Sequence, residues 1–310
     1  MNKLYEQCQS YIDCLRFERR SSEHTVDSYK RVLEKALKAL NSECPDIESW
    51  SQVGLEQMRI INREFNFNEK AERLKNRSVA HDLYVLSSFF KFLISQGLLN
   101  ENPFKLIKAP KADKVLPRVL TASEVKALLD VEAFDDKQIR DTAISELLFS
   151  SGLRVSELTG LTLSDYDENS CEVRVMGKGG KERIIPVGSK ARERLTEYLK
   201  IRDNFGPKSN ALFLNRFGKA ISSRSVENNL KAQSERAGLD TNVYPHKLRH
   251  SFATALLQGG ADLRSVQEML GHANLAATQV YTHLDFEHLK QVYIKSHPRS
   301  HLHPEKKTEN

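Results

Sequence analysis

The stretch "NENPFKLIKAPKADKVLPRVLT", residues 100–121, divides the chain into two parts. Its prolines, Pro103, Pro110 and Pro117, prevent one continuous helix and favour an extended backbone. Cations spaced along the stretch give it a positive charge. We therefore predict a helical first domain at residues 1–107, a basic interdomain linker at 108–117, a second domain at 118–297 and a polar carboxyl-terminal tail at 298–310.

On the amino-terminal side of this stretch, apolar residues recur at the helical period. The segments "TVDSYKRVLEKALKAL" (25–40) and "RSVAHDLYVLSSFFKFLISQG" (77–97) both follow this pattern, and Gly97 ends the second. We predict two helices here, whose buried faces carry Tyr29, Val32, Leu33, Ala36, Leu37 and Leu40 in the first and Val79, Leu83, Leu86, Phe89, Phe90 and Leu93 in the second.

On the carboxyl-terminal side, the pattern changes twice. "TASE" (121–124) is a Ser/Thr-x-x-Glu capping box ahead of a helical segment. "CEVRVMGKGGKERIIPVG" (171–188) has strand-forming residues on both sides of a glycine-rich turn, which is typical of a β-hairpin. The remaining segments return to the helical period. We predict a mainly α fold with one small β-hairpin or sheet.

Charge and composition narrow the class of protein. The chain has 310 residues, a formal net charge of +6 and a pI near 9.0, which favours an acidic partner. The amino-terminal segment is too polar for a signal peptide, and no apolar run is long enough to span a bilayer. We therefore expect a cytoplasmic protein. A disulfide framework or a structural zinc site is not indicated by the scattered cysteines Cys8, Cys14, Cys44 and Cys171.

The segment "VYPHKLRHSFATALL", residues 243–257, places His246, Arg249 and His250 at spacings that share one helical face. Three interpretations are open: a solvated charged face, a metal site, or a cluster that holds an anion. The metal interpretation is the weakest, because Lys247 stands where helical zinc-hydrolase motifs carry glutamate.

Two further basic positions are ambiguous on local pattern alone. Lys178 and Lys181 lie in "GKGGK", which lacks the spacing of a phosphate-binding Walker loop, so it is either an ordinary exposed hairpin tip or a mobile loop with a function. Arg154, in "SGLRVSEL" (151–158), is either a surface arginine paired with Glu157 or part of an anion site.

Taken in order, "SGLRVSELTGL", "GKGGKERIIPV", "PHKLRHSFATALL" and "VQEMLGHANLAATQVYTHLD" resemble the tyrosine site-specific recombinases, the phage-integrase family, and within it the bacterial XerC type. The resemblance covers essentially the whole chain. It implies a helical, SAM-like core-binding domain followed by a catalytic domain, the two forming a C-shaped clamp on DNA.

The resemblance also implies a catalytic set, and each position holds the residue type that the family requires. The set is Arg154, Lys178, His246, Arg249, His272 and Tyr281. Tyr281 is the implied nucleophile, which forms a 3′-phosphotyrosine link to DNA. Local pattern alone does not distinguish Tyr281 from Tyr244 or Tyr293.

Elementary chemistry agrees with these roles. Two arginines offer planar, permanently charged donors to the non-bridging oxygens of a phosphodiester, and His272 can add a hydrogen bond. A phenol with a pKa of about 10 needs a base, for which His246 is suitable, while Lys178 can protonate the leaving 5′-oxygen. His250 is expected to support the site through a hydrogen bond. No metal and no cofactor are implied.

The implied partner is double-stranded DNA. In the family, four protomers act on two duplexes, so we expect a heterotetramer with a XerD-like recombinase, control by an FtsK-type translocase and chromosome-dimer resolution at a dif-like site. The segment from about Phe286 is expected to dock into a neighbouring protomer. Candidate DNA contacts are Arg73, Lys75, Arg77, Lys108, Lys111 and Arg224.

Other functions remain open on the sequence. An integrase or resolvase of a mobile element would use the same residues. A DNA-binding protein on an inactive scaffold is disfavoured, because an idle site has no need for the complete set. Relaxation of DNA by a type IB topoisomerase reaction would use the same chemistry.

Overall fold

The computed structural model describes residues 3–67, 72–107, 110, 118–177, 182–271 and 283–300. The chain forms two compact units, Met1–Leu116 and Pro117–Asn310. Their division falls at the carboxyl end of residues 108–117, which the sequence assigns to a linker. The predicted mainly α fold class is confirmed, and none of the described helices is long and apolar enough to cross a membrane.

The first unit is built from helices around an aromatic core. Trp50 is fully buried; its indole nitrogen donates to the carbonyl of Leu4 at 3.0 Å, and its ring meets those of Phe89 and Phe90 edge-on. Both predicted helices are confirmed, and every residue of their predicted faces is buried except Tyr29, which is partly buried. The helices are α1 (Lys3–Asp13), α2 (Glu23–Glu43), α3 (Leu55–Phe65) and α4 (Asn76–Ser95).

The second unit is also mainly helical. Its predicted capping box is confirmed at Thr121, whose side chain accepts from the backbone of Glu124 at 3.2 Å while the Glu124 carboxylate accepts from the Thr121 backbone at 2.8 Å. The helices are α5 (Ala122–Leu129), α6 (Asp136–Ser151), α7 (Val155–Gly160), α8 (Ser189–Ile201), α9 (Ser223–Arg236), α10 (Pro245–Gln258), α11 (Leu263–Leu270) and α12 (His283–Ser296).

The predicted hairpin is confirmed and belongs to a three-stranded antiparallel sheet. Its strands are β1 (Tyr166–Asp167), β2 (Glu172–Met176) and β3 (Glu182–Pro186), in that order. Val173 pairs with Ile185 and Val175 with Arg183, so the inward face alternates along each strand. Residues 178–181, which the sequence predicts as the turn and which include Lys178 and Lys181, lie outside the described residues.

Helix α6 is the centre of the second unit. Every residue from Arg140 to Ser151 is buried, because α8 and α10 pack against it. Its polar side chains therefore need partners inside the unit. Ser145, for example, bonds to Gln233 of α9 at 3.2 Å.

The carboxyl-terminal segment 283–300 packs on its own unit. The Tyr293 hydroxyl shares a 2.7 Å hydrogen bond with Ser150 of α6, and the Arg299 guanidinium forks onto the fully buried Glu146 carboxylate at 2.8 and 2.9 Å. The sequence prediction ends the second domain at residue 297, but Arg299 and Ser300 still belong to its packed part. The expected docking into a neighbouring protomer stays a prediction.

His297 is the most unusual titratable group of this segment. Its ring stacks on Tyr293 at 4.9 Å between centroids, and its Nδ1 accepts from the backbone N–H of Arg299. Among the described residues, its buried Nε2 has no hydrogen-bond partner. Burial lowers the pKa of His297 to about 3; the backbone of Phe149 opposes this shift, and the charge of Arg299 adds to it.

We predict that His297 makes the second unit less stable in mild acid. The unfolded chain takes up a proton near pH 6.5 and the folded one only near pH 3, so the stability contribution is present above pH 6.5 and lost as the pH falls. From pH 7.5 to 5.5 the free energy of unfolding should fall by about 1.4 kcal/mol on this account. Urea unfolding followed by circular dichroism at both pH values measures it.

The matched variant is His297→Asn, whose amide oxygen can still accept from Arg299 but does not titrate. It should be less stable than the wild type at pH 7.5, since the ring stacking is lost, and yet lose less stability on acidification. An equal loss in both proteins would contradict the assignment.

Candidate active site

The turn after α6 positions Arg154. Gly152 ends the helix with a left-handed backbone (φ 59°), and a Cβ there would lie 2.4 Å from the ring of Phe252, so the turn requires glycine. Arg154 then caps α7, where its backbone N–H and its guanidinium donate to Glu157 at 2.8 and 2.9 Å. The pairing with Glu157 that the sequence suggested is present, and 41% of the Arg154 side chain remains exposed.

Arg249 of α10 is buried, with 6% of its surface exposed. Its guanidinium donates to the carbonyl of Gly152 and to that of Leu270, both at 2.6 Å. Of the three interpretations open on the sequence, a solvated charged face therefore does not describe Arg249, although the two histidines are exposed. Arg249 lies three residues after His246, and its long side chain reaches the carbonyls at the ends of α6 and α11. A guanidinium offers five N–H donors, so it can satisfy carbonyls that burial has removed from water.

His246 and His250 form the exposed part of the same helix. Their Nε2 atoms are 3.0 Å apart and their rings meet edge-on, so the hydrogen bond expected for His250 is present and is made to His246. Lys247 turns away from both rings, because its Nζ donates to the Thr241 hydroxyl and to the carbonyl of Asn242. Within the described part of the chain, no three His, Cys, Asp or Glu residues are grouped to hold a metal ion.

A third arginine, Arg183 of β3, lies beside the first two. We call Arg154, Arg183 and Arg249, together with Glu157, the arginine cluster. Its guanidinium forks onto the Glu157 carboxylate at 2.9 and 2.8 Å, and its Nε donates to the carbonyl of Met269 at 3.2 Å. Sequence analysis did not single it out. The alternation of β3 offered a signal, since Arg183 lies two residues before the buried Ile185 and so on the inward face.

The three arginines meet at the end of α11. They donate to its last carbonyls in sequence: Arg183 to Met269, Arg249 to Leu270, and Arg154 to Gly271 at 3.4 Å. Carbonyls at a helix carboxyl terminus have no partner within the helix and carry partial negative charge, which makes them suitable acceptors for cations. His272 is the next residue in the sequence.

The electrostatics of this cluster favour an anion. Burial alone would raise the pKa of Glu157, but hydrogen bonds from Arg183 and Arg154 outweigh it and lower that pKa. Burial, and next the charge of Arg154, lowers the pKa of Arg249 to about 10, so it is still protonated at neutral pH. With one carboxylate among three guanidiniums, the cluster carries two net positive charges.

The structure describes only some of the other predicted site residues. Lys178, His272 and Tyr281 lie outside the described residues, as do the candidate DNA contacts Lys108 and Lys111. The remaining candidates are exposed on two different units: Arg73 and Lys75 just before α4, Arg77 in its first turn, and Arg224 in the first turn of α9.

Comparison with known proteins gives matches along nearly the whole chain. Residues 118–288 match the phage integrase family and residues 8–97 its N-terminal SAM-like domain. The tyrosine recombinase XerC of Actinobacillus pleuropneumoniae serotype 7 (strain AP76) is 44% identical over 299 residues, 96% of each chain. The XerC of Haemophilus influenzae (strain PittEE) is 45% identical over 290 residues, 94% of this chain and 96% of its own.

Solved structures share the fold. The Tn1549 transposon integrase in complex with transposon right end DNA superposes with a TM-score of 0.68 at 20% identity, covering 92% of this chain and 98% of that one. The integrase from mycobacterium phage Brujita gives a TM-score of 0.51 at 25% identity, covering 96% and 95%.

Proposed function

Because this chain belongs to the phage integrase family and is a tyrosine recombinase of the XerC type, an enzyme that cuts and rejoins DNA, we propose that Arg154 and Arg249 bind the scissile phosphate and that Tyr281 attacks it. The observation that carries this proposal is the convergence of both arginines on the last carbonyls of α11, directly before His272.

The arginine cluster suits the charge of the reaction. A phosphodiester carries one negative charge, and a second develops on its oxygens as the phosphorus becomes five-coordinate. Two net positive charges, held in place before the reaction, balance that state. Donors fixed in this way are commonly worth about 3–4 kcal/mol each in transition-state stabilisation.

Proton transfer is assigned to the remaining predicted residues. His246 takes the proton of the Tyr281 phenol, and its contact with His250 holds the imidazole in place. Lys178 gives a proton to the leaving 5′-oxygen. His272 adds a hydrogen bond to a non-bridging oxygen.

The reaction is a pair of transesterifications. The Tyr281 oxygen bonds to phosphorus while the bond to the 5′-oxygen breaks, which leaves a 3′-phosphotyrosyl link and a free 5′-hydroxyl. A 5′-hydroxyl from another strand then attacks the same phosphorus and releases the tyrosine. Each step exchanges one phosphoester for another, so resealing needs no nucleotide hydrolysis.

The biological role we propose is chromosome-dimer resolution at a dif-like site. The high coverage and identity of the XerC relatives support it. The chain would act in a heterotetramer with a XerD-like recombinase on two duplexes, under an FtsK-type translocase, in the cytoplasm where the chromosome lies. The candidate DNA contacts Arg73, Lys75, Arg77, Lys108, Lys111 and Arg224 would lie at phosphates of the duplex.

The testing experiment uses a nicked suicide duplex, which loses the fragment that carries the resealing hydroxyl. The protein is incubated with a dif-like duplex or a scrambled one, with and without a candidate XerD-like partner, and run on a denaturing gel. We expect a protease-sensitive covalent band on the dif-like duplex, with DNA attached to the peptide that contains Tyr281 by mass spectrometry. Equal bands on both duplexes would refute the dif-like target, and attachment elsewhere would refute the nucleophile.

A further inference from the structure

Glu157 is a buried carboxylate whose hydrogen-bonding capacity is fully used. Its Oε1 accepts from the guanidinium of Arg154 and from that of Arg183, and its Oε2 accepts from the Arg154 backbone and again from Arg183. Four acceptor sites are all that a carboxylate offers. Only 6% of this side chain is exposed, so its charge is compensated by these two arginines and hardly by water.

Arg183 differs from Arg154 in its exposure and in the number of guanidinium donors that are free for a ligand. Its side chain is 9% exposed, and its Nε and both terminal nitrogens already donate to Met269 and Glu157. Arg154 is 41% exposed and makes a single short bond from its guanidinium, to Glu157. All three guanidinium nitrogens of Arg183 are thus engaged, whereas the equally buried Arg249 donates to carbonyls from its two terminal nitrogens only. We therefore expect an effect of Arg183 on cleavage to pass through its neighbours.

We propose that Arg183 is a positioning residue for cleavage: it neutralises Glu157, so that Arg154 and Arg249 keep their charge for the scissile phosphate. The proposal rests on the proposed function, in which those two arginines bind the phosphate. Without Arg183, the buried carboxylate has one guanidinium left beside it, that of Arg154. Arg154 would turn its full fork to Glu157, and the net charge of the cluster would fall from two to one.

The proposal is tested with two substrates that differ in charge. One suicide duplex has a normal scissile phosphodiester, and the other a methylphosphonate, in which a methyl group replaces one non-bridging oxygen and removes the negative charge. Arg183→Gln should cleave the phosphodiester about a hundredfold more slowly than the wild type. On the neutral methylphosphonate, the difference between the two proteins should shrink to about threefold, because less charge has to be balanced.

A second pair of variants tests the charge balance directly. Glu157→Gln combined with Arg183→Gln removes both members of the pair and returns the net charge to two. This double variant should cleave the phosphodiester about tenfold faster than Arg183→Gln alone and should lose that advantage on the methylphosphonate. Recovery through relieved burial of the unpaired carboxylate alone would be the same on both substrates. Arg183→Lys, which keeps the charge without the fork, should also cleave faster than Arg183→Gln.

The matched control is Arg140→Gln. Arg140 is also buried and forks onto the neighbouring Asp141 at 3.0 and 2.7 Å, and within the described part of the chain its hydrogen bonds are made to residues outside the cluster. It should lower stability without changing the ratio of the two cleavage rates. If Arg183→Gln does not fold, the double variant is compared with the wild type instead. With its net charge at two it should show about the same defect on both substrates, and a larger defect on the phosphodiester would overturn the role of Arg183.

The outcomes separate the two proposals. Equal defects of Arg183→Gln on both substrates, or a double variant no faster than the single one, would overturn the role of Arg183. An Arg154→Ala variant that cleaves as fast as the wild type would instead overturn the phosphate-binding role on which it rests.

Discussion

No covalent protein–DNA complex should form when Tyr281 is replaced by phenylalanine. The change removes one phenolic oxygen, the atom that would bond to phosphorus, and leaves the ring in place. On the nicked suicide duplex, the covalent band should therefore disappear completely, while binding of the duplex in a gel-shift assay should stay within about threefold, because phosphate contacts dominate affinity.

The structure reduces the number of tyrosines that could be the nucleophile. Tyr293 is fully buried, its hydroxyl bonds to Ser150, and burial raises its pKa well above the ordinary value, so it cannot serve as a nucleophile. Tyr244 is 41% exposed and lies two residues before His246, which makes it the competitor to exclude. Tyr244→Phe is the matched control and should keep the covalent band. A band that survives in Tyr281→Phe and is lost in Tyr244→Phe would transfer the role to Tyr244.

Arg249→Lys should slow formation of the covalent complex by about a hundredfold to a thousandfold. The charge is kept, but an ammonium group cannot bond to the Gly152 and Leu270 carbonyls in fixed directions and still present planar donors to a phosphate. Single-turnover cleavage of the suicide duplex at saturating protein measures the rate apart from binding.

The control for this substitution is Arg264→Lys. Arg264 lies on α11, close in sequence to the same carbonyls, but it is exposed and pairs with Glu268 on the helix surface. Its replacement should leave the cleavage rate within about twofold, as surface ion pairs contribute little. Cleavage by Arg249→Lys at a similar rate would mean that charge alone, and not the fork, is required.

Local sequence signals were sufficient for most of the fold. The helical period predicted α2 and α4 with their buried faces, and the capping box and the glycine-rich turn predicted the start of α5 and the hairpin. Strand β1, with two residues, was missed because it exists only through its pairing with β2. The packing of Arg299 also has no local signal, since its partner Glu146 is 153 residues away.

The site was predictable by residue type but not by arrangement. Helical spacing grouped Arg249 with His246 and His250, whereas burial against α6 separates it from them. That Arg154 and Arg249 meet depends on where α11 ends, which no period in the sequence reveals. The roles of Lys178, His272 and Tyr281 were inferred from resemblance and stay predictions.

The arginine cluster at the end of α11 has a consequence for the thermodynamics of DNA binding. A free arginine side chain loses up to about 2 kcal/mol of conformational entropy when it is fixed. Arg183 and Arg249 are immobilised by backbone carbonyls and Glu157 when the second unit folds, before any substrate arrives. The conformational entropy of these side chains is therefore lost during folding, whereas a flexible binding surface would lose it each time DNA binds. A phosphate thus meets buried cations that are already held in one rotamer.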